Sequence, residues 1–311
     1  MTRYRRFLPL LVCLWLGTGA LAEVELTRPF AGIALVRRTE TIPRPVTMHA
    51  VLVDLGTPGL GFKLSPPAGA RDTVRQTTLD FLKQEKAQVA INVHFFVPYP
   101  TPDTEVDVVG LAVSNGVVYS PFEPQSVAAG YPDQSFAIVP YVTALNIDRT
   151  NRVTFVSRRE VAVDRTGVRR SEPLWNAFSG SAQIVTAGVK SIPAYTNAPG
   201  GLKDSKSFSA ARSWYDIPRA RTAAGLTADA KTLVLFTADQ AAGSAGLTVG
   251  EVADILIREF HVTNALNLDG GGSTALAMEE PVTHVARLVN VPSDGPNGRA
   301  VGSSLAVFVR R

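Results

Sequence analysis

One stretch of the sequence, residues 264–278, constrains the fold more than any other. An apolar run reaches Asp269, crosses Gly270, Gly271 and Gly272, and leaves through Ser273 and a threonine into a second apolar run. Glycines carry no side chain that could hold a turn by packing, so this segment needs unusual dihedrals or a close neighbour. Two interpretations stay open. One is a tight hairpin turn between buried strands, and the other is a ligand cradle whose amides face an anion or a sugar.

The first 22 residues have the pattern of a secretory signal peptide. Three arginines precede an apolar core, Phe7–Leu16, and the small residues that follow suit cleavage after Ala22. This core is about half the ~20 residues that a transmembrane helix needs, and no later stretch is long and apolar enough. We therefore predict a periplasmic or secreted protein with no membrane span after signal cleavage.

Charge and cysteine content narrow the function classes. Of the 31 basic side chains, Arg3, Arg5 and Arg6 lie in the signal. After its cleavage, 28 basic and 27 acidic side chains remain. No basic block with interleaved aromatics is present, and a nucleic-acid partner is not expected. Because Cys13 is the only cysteine, the processed chain has neither a disulfide nor a thiolate nucleophile.

The composition, with 45% hydrophobic and 19% charged residues, is that of a globular protein. We expect one α+β (mixed α/β) domain over residues 23–311, rich in strands, with a mixed twisted sheet and few flanking helices. Residues 190–219 are rich in Pro, Gly, Ser and Asn, which indicates a long loop insertion.

Local patterns predict individual elements. Asp72 is a candidate N-cap for a helix that ends near Lys86, and Thr248 with Glu251 forms a capping box for a helix reaching Phe260. Asn115-Gly116 is a strong hairpin signal, and residues 135–139 are predicted to form a short strand.

Asn92 and His94 are unusual at the end of an apolar strand. A buried amide or imidazole needs specific partners, so each is either a site residue or part of a structural hydrogen-bond network. Both interpretations stay open. His49, by contrast, fits an ordinary strand residue better than a ligand.

Two acids follow apolar strands near the end of the chain. The strand that ends at Asp239, the helix at 248–260 and the strand that ends at Asp269 resemble a crossover unit. If the two strands are parallel, both carboxylates emerge at one edge of the sheet, where α/β folds bind ligands. Acid pairs serve glycoside cleavage, and nearby arginines favour an anionic substrate. No metal site is predicted: the four histidines lack zinc spacing and no EF-hand loop occurs, although Ca²⁺ binding by Asp and Asn oxygens remains an alternative.

Residues 266–273, Leu-Asn-Leu-Asp-Gly-Gly-Gly-Ser, resemble the signature of the phosphodiester glycosidase family. Four other segments are similar to that family and follow in its order: Ile91–Phe96 (strand-Asn-x-x-Phe-Phe), Ser179-Gly180, Arg221–Gly225 (Arg-Thr-Ala-x-Gly), and the helix before the glycines together with Arg299. The resemblance spans about residues 46–309. The chain departs from the family at Asp239-Gln240-Ala241, where Asp-Gly-Arg is usual, and at His94, where a glycine is usual.

The resemblance implies a hydrolase that cleaves the sugar side of a sugar-1-phosphodiester without a cofactor. We expect Asp269 to act as nucleophile or base, Asp239 to be the second carboxylate, and Arg221 and Arg299 to bind phosphate. The expected substrate-binding residues are Asn92, His94, Ser181, Thr222, Gly270, Gly271, Gly272 and Ser273. Two other classes stay open: a non-catalytic glycan-binding protein of exopolysaccharide or cell-envelope assembly, and a Ca²⁺-dependent lectin-like protein. The oligomeric state is not predicted.

Overall fold

The computed structural model of the protein describes residues 22–122, 143–157, 173–192 and 215–310. Three predictions fall outside this part of the chain. They are the signal peptide, except for its last residue, the short strand at 135–139, and the loop insertion, except for its two ends.

The described residues form 23 strands and two α-helices. Helix α1 spans Thr78–Glu85 and helix α2 spans Val249–Phe260. In chain order the strands are β1 (Glu23–Phe30), β2 (Ile33–Glu40), β3 (Val46–Asp54), β4 (Gly61–Leu64), β5 (Thr73–Val74), β6 (Gln76–Thr77), β7 (Val89–Asn92), β8 (Phe96–Val97), β9 (Glu105–Val108), β10 (Ala112–Ser114), β11 (Val117–Ser120), β12 (Thr143–Ile147), β13 (Val153–Ser157), β14 (Asn176–Ser179), β15 (Ala182–Thr186), β16 (Val189–Lys190), β17 (Arg221–Thr227), β18 (Thr232–Ala238), β19 (Val262–Asn267), β20 (Leu276–Glu279), β21 (Ala286–Leu288), β22 (Ala300–Val301) and β23 (Ser304–Phe308).

Three sheets carry most of the structure. The main sheet has eight strands in the order β1-β2-β3-β18-β17-β19-β15-β16, and the second has five in the order β21-β20-β7-β23-β4. A third, of order β11-β10-β14-β12-β13, completes the group, and neighbouring strands in all three are antiparallel. The expected fold class, a strand-rich α+β structure with few helices, is confirmed. None of the described helices has the length and apolar character needed to cross a membrane.

The largest core lies between the main and second sheets. It joins Val51 and Leu235 of the main sheet to Ile91, Leu276 and Leu305 of the second. A second core fills the opposite face of the main sheet, where helix α2 packs. Because both faces of the central main-sheet strands are covered, polar side chains on those strands must find partners inside the protein.

The helix starts show where local signals suffice. The capping box predicted at Thr248 and Glu251 is present, and each side chain contacts the backbone of the other. The predicted start at Asp72 is wrong. Helix α1 is capped by Thr77, because the preceding residues form β5 and β6, and the Asp72 carboxylate accepts the N–H of Val108 instead.

The predicted relation between β18 and β19 holds in a modified form. The antiparallel strand β17 lies between them, so they are parallel to each other without pairing. Asp239 and Asp269, which follow these strands, therefore lie at the same end of the main sheet.

The glycine segment is not a hairpin turn. Strand β19 before it pairs with β17 and β15 in the main sheet, whereas β20 after it pairs with β7 and β21 in the second sheet. The segment from Asp269 to Thr274 therefore carries the chain from one sheet to the other. The hairpin predicted at Asn115-Gly116 does form, between β10 and β11, and both residues have positive φ.

Candidate active site

Asp269 lies where the main sheet gives way to the glycine segment. Its N–H donates to the carbonyl of Val93 (2.9 Å), and its carbonyl accepts the side-chain amide of Asn92 (2.7 Å). The residue is 8% exposed. Burial raises the pKa of its carboxyl to about 7, although Ser273, Arg299 and the N–H of Gly270 favour the ionised form. Such a carboxyl changes protonation state near neutral pH, as an acid–base group must.

The three glycines have different roles. Gly271 has φ +59°, a conformation that side chains rarely adopt, and its N–H donates to the carbonyl of Ala220 (2.7 Å). A Cβ atom at Gly272 would lie 2.2 Å from Nη2 of Arg299. The turn thus needs glycine once for backbone conformation and once for the close approach of a guanidinium.

Arg299 places a cation beside Asp269. Its Nε donates to the carboxylate of Asp294 (2.7 Å), and its Nη1 reaches the hydroxyl of Ser273 (3.4 Å). The guanidinium also lies over the ring of Tyr99, 4.5 Å from its centroid. The predicted residues Asp269, Gly270–Gly272, Ser273 and Arg299 therefore form one cluster.

Asn92 and Thr222 lie in a fully buried network behind this cluster. The Asn92 side-chain oxygen accepts the Thr222 hydroxyl (3.0 Å) and the N–H of Ala275 (3.0 Å), while its amide holds the carbonyl of Asp269. The Thr222 hydroxyl also lies 3.3 Å from that of Thr274. Asn92 thus ties β17, the residue before β20 and Asp269 to one another.

Asp239 occupies a separate buried position. Its Oδ2 accepts the N–H of Val291 (3.2 Å), and its Oδ1 lies 4.0 Å from Nδ1 of His49 with no hydrogen-bond partner among the described residues. Burial raises the pKa of Asp239 to about 6 and lowers that of His49 to about 4. Since β17 separates the two strands, Asp239 and Asp269 follow strands about 10 Å apart.

Arg221 and Ser181 lie on the other face of the main sheet, beneath helix α2. Arg221 donates from Nε to the carbonyl of Leu247 (2.8 Å) and from Nη2 to that of Ile217 (2.5 Å). Burial lowers its pKa to about 9. The Ser181 hydroxyl accepts hydrogen bonds from the Tyr215 hydroxyl (2.6 Å) and the Asn267 amide (2.8 Å). The structure does not bring either side chain to the Asp269 cluster.

His94 belongs to a third buried network. Its Nδ1 lies 2.7 Å from the Ser303 hydroxyl, and its Nε2 lies 3.0 Å from the carbonyl of Leu111 and 3.1 Å from the backbone nitrogen of Ser179. Burial lowers the pKa of His94 to about 4, so the ring is neutral at neutral pH. A carbonyl can only accept, so the tautomer with its proton on Nε2 donates to Leu111, and Nδ1 then accepts the hydroxyl of Ser303. His94 therefore joins the segments around Ser179 and Ser303 rather than the Asp269 cluster.

Tyr99 and Arg75 are neighbours of the cluster that the sequence analysis did not select. Tyr99 stands between two prolines in a loop after a buried strand, which is a usable signal for an exposed aromatic. Arg75 has no such signal, because nothing in its local sequence distinguishes it from a surface arginine. Among the described residues, no group of three or more His, Cys, Asp or Glu side chains is arranged to hold a metal ion.

The family model for phosphodiester glycosidases matches residues 85–308, which include Asn92, Asp239, Asp269 and Arg299. This match indicates a protein with a glycosidase-type function. The chain belongs to the phosphodiester glycosidase family. Among curated proteins, none matches the sequence.

Solved structures share the fold at low sequence identity. The catalytic domain of zebrafish N-acetylglucosamine-1-phosphodiester alpha-N-acetylglucosaminidase, auto-inhibited by its pro-peptide, has 19% identity and a TM-score of 0.61, with 94% of this chain and 83% of that chain covered. A Burkholderia pseudomallei protein predicted to be exported has 13% identity, a TM-score of 0.61 and coverage of 94% and 97%. A hypothetical protein from Synechocystis has 17% identity and a TM-score of 0.60, and 92% of this chain spans 64% of its length.

Proposed function

We propose that the protein is an exported hydrolase that cleaves the glycosidic bond of a sugar-1-phosphodiester. The observation that carries the proposal is the cluster around the glycine turn, where the carboxyl of Asp269 lies beside Ser273 and Arg299. Family membership and the structural likeness to the zebrafish enzyme support the same reaction class.

The chemistry suits a site with one acid close to an arginine. The bond between the anomeric carbon and the phosphate oxygen breaks, and its electron pair stays on that oxygen. Because the departing phosphate is already an anion, it needs less help from a general acid than an ordinary alcohol does. Asp269 in its ionised form then attacks the anomeric carbon or removes a proton from the attacking water.

The contacts support a different role for each of the other predicted residues. Arg299 binds the phosphate, and Ser273 and the turn amides bind oxygens of the substrate. Asn92 and Thr222 hold the Asp269 backbone from behind. Arg221 acts as a positioning residue. Its guanidinium donates to the backbone carbonyls of Leu247 and Ile217, and the carbonyl of the neighbouring residue, Ala220, accepts the N–H of Gly271.

Asp239 is assigned a supporting role. The side chain of Asn290 lies beside its carboxylate, and the amide of Asn290 donates to the carbonyl of Thr274 (3.3 Å). Thr274 in turn contacts Thr222, so these side chains form a polar path from Asp239 to the Asn92 network. Through this path Asp239 fixes the segment that follows the glycine turn.

Export is the second part of the proposal. It rests on the signal-like residues 1–22, on the absence of cysteine after Cys13, and on the likeness to the Burkholderia protein. Expression in a Gram-negative host should give a periplasmic form that begins at Glu23. A cytoplasmic form with an intact N-terminus, seen by mass spectrometry, would contradict it.

A non-catalytic glycan-binding protein of envelope or exopolysaccharide assembly is the second candidate. Gln240 and Ala241 favour it, because they replace the Gly-Arg that usually follows the corresponding acid in the family. Incubation with a panel of sugar-1-phosphodiesters distinguishes the two. Release of free sugar by the native protein but not by Asp269→Asn supports the hydrolase, whereas binding without release by either protein supports the second candidate. Binding that is abolished by a chelator would instead support a Ca²⁺-dependent lectin-like protein.

A further inference from the structure

A row of two guanidiniums and two aromatic rings runs along one side of the glycine turn. The Arg75 guanidinium lies 5.3 Å from the ring centroid of Phe96, and that ring meets Tyr99 edge to face at 5.7 Å. Tyr99 in turn lies under Arg299. The row therefore ends beside Ser273 and Asp269. Tyr99, in the middle of the row, is 36% exposed.

Arg75 is held in place by backbone carbonyls rather than by an acid. Its Nε donates to the carbonyl of Ala300 (3.1 Å), and its Nη1 donates to those of Thr101 and Asp103 (3.0 Å each). Among the described residues, Arg75 forms no ion pair and its Nη2 has no hydrogen-bond partner. The guanidinium is thus fixed in orientation while its charge stays uncompensated by a direct carboxylate contact.

The two arginines are close enough to affect each other. Burial lowers the pKa of Arg75, and the charge of Arg299 is the next largest cause. The Asp294 carboxylate accepts a hydrogen bond from Nε of Arg299, whereas Nη2 of Arg299 lies against Gly272. Two like charges at short range repel each other, and an anion between them relieves the repulsion.

We propose that Arg75 and Arg299 together bind the phosphate of the substrate, and that Tyr99 packs against the ring next to that phosphate. This proposal rests on the proposed function and adds Arg75 and Tyr99 as specificity-determining residues.

The charge change during the reaction explains the need for two guanidiniums. A phosphodiester carries one negative charge, and the phosphate monoester that leaves with the bonding electron pair carries up to two. Water supplies the hydroxyl group that replaces it on the sugar. Donors fixed in advance stabilise the developing second charge more than the ground state, which accelerates cleavage.

The test compares Arg75→Gln, Arg75→Lys and the control Arg71→Gln. Arg71 lies in the same segment, but its guanidinium pairs with the carboxylate of Asp107 (3.2 Å), which is not a member of the row. The probe is methyl phosphate, measured by titration calorimetry, so binding is measured without turnover. Loss of a charge-assisted contact should weaken binding about 10- to 100-fold in Arg75→Gln, less in Arg75→Lys, and not in the control.

Kinetics provide the second readout. For Arg75→Gln, kcat/KM should fall about 10- to 100-fold on a sugar-1-phosphodiester but stay unchanged on a p-nitrophenyl glycoside of the same sugar. Tyr99→Ala should raise KM more than it lowers kcat. Equal phosphate affinity in native protein and Arg75→Gln would overturn the proposal, as would an equal loss on both substrates. If Arg75→Gln does not fold, Arg75→Lys decides by the same two ratios.

The outcomes separate this proposal from the proposed function. Phosphate binding that depends on Arg75 in a protein without turnover would leave the phosphate site standing and reject the hydrolase. Turnover of phosphodiesters that does not change when Arg75 is replaced would support the hydrolase and reject the phosphate site at Arg75.

Discussion

Arg299 lies so close to Gly272 that a Cβ atom at position 272 would fall 2.2 Å from its Nη2 and 2.7 Å from its Cζ. The atoms that would be displaced belong to the end of a flexible side chain rather than to the backbone. A side chain at position 272 would therefore displace the Arg299 guanidinium while leaving the surrounding backbone almost unchanged.

Gly272→Ala should move Arg299 away from Ser273 and weaken binding of a phosphate monoester about tenfold or more, with a small change in melting temperature. Gly271→Ala is the matched control. Its Cβ would meet no atom within 4 Å, but φ is +59°, so we expect about 1–2 kcal/mol of destabilisation and a smaller effect on binding. Calorimetry and thermal melts on both variants test this, and the reverse ranking would contradict it.

Asp269→Asn should lower kcat/KM on a sugar-1-phosphodiester by about a thousandfold or more, because an amide can be neither nucleophile nor base. The same change should stabilise the protein at pH 8. The pKa of Asp269 is raised to about 7 in the folded state, so its ionisation opposes folding by at most about 4 kcal/mol.

The control for this variant is the pH of the melt. Below about pH 3 the native carboxyl is mostly protonated in both the folded and the unfolded state, and Asp269→Asn should melt at the same temperature as the native protein. Its advantage should grow as the pH rises from about 4 to about 7, where the stability of the native protein falls, and should level off above pH 7. A melting-temperature difference that does not change with pH would show that the shift in pKa is absent.

The activity of the native enzyme should increase with pH over the same range. Since the ionised form of Asp269 is the reactive one, kcat/KM should rise toward a plateau with an apparent pKa near 7. The profile is measured at saturating and limiting substrate. A rate that instead falls as the pH passes through 7 would assign Asp269 the role of general acid.

Arg221→Lys should reduce stability rather than substrate affinity. A lysine cannot hold the carbonyls of Leu247 and Ile217 together, so we expect about 2–4 kcal/mol of destabilisation and a melting temperature lower by about 5–10 °C. The exposed Arg258→Lys on helix α2 is the control. Native stability with a large rise in KM for the phosphodiester would instead place Arg221 in contact with substrate.

The sequence was most informative where a few adjacent residues decide the structure. The capping box at Thr248, the hairpin at Asn115-Gly116 and the placement of Asp269 after a strand all depend on contacts within a few positions. The resemblance to the family rested on equally local motifs, and the match over residues 85–308 confirms it.

Sheet partners were beyond local patterns. Nothing near residue 276 shows that β20 leaves the main sheet to pair with β7, nor that β17 lies between β18 and β19. The motif Arg221-Thr222 illustrates the consequence for the site. Successive residues of a strand point to opposite faces, so Thr222 reaches Asn92 while Arg221 turns toward helix α2.

Arg75 and Tyr99 were missed for a related reason. They are distant in sequence from Arg299, and only the folded chain brings them beside it. The role of a surface arginine depends on its neighbours in the folded protein, and those neighbours are set by long-range packing.

Strand β7 has a consequence for the timing of activity. Its two neighbours, β20 and β23, come from residues 276–308, whereas β7 itself spans residues 89–92. Until residues 275–308 have left the ribosome, the pairing of β7 is incomplete, and before Ala275 emerges the Asn92 side chain lacks the backbone N–H that it accepts in the folded protein. We therefore expect that a chain truncated before residue 308 has no activity, because β7 then lacks all or part of a neighbouring strand.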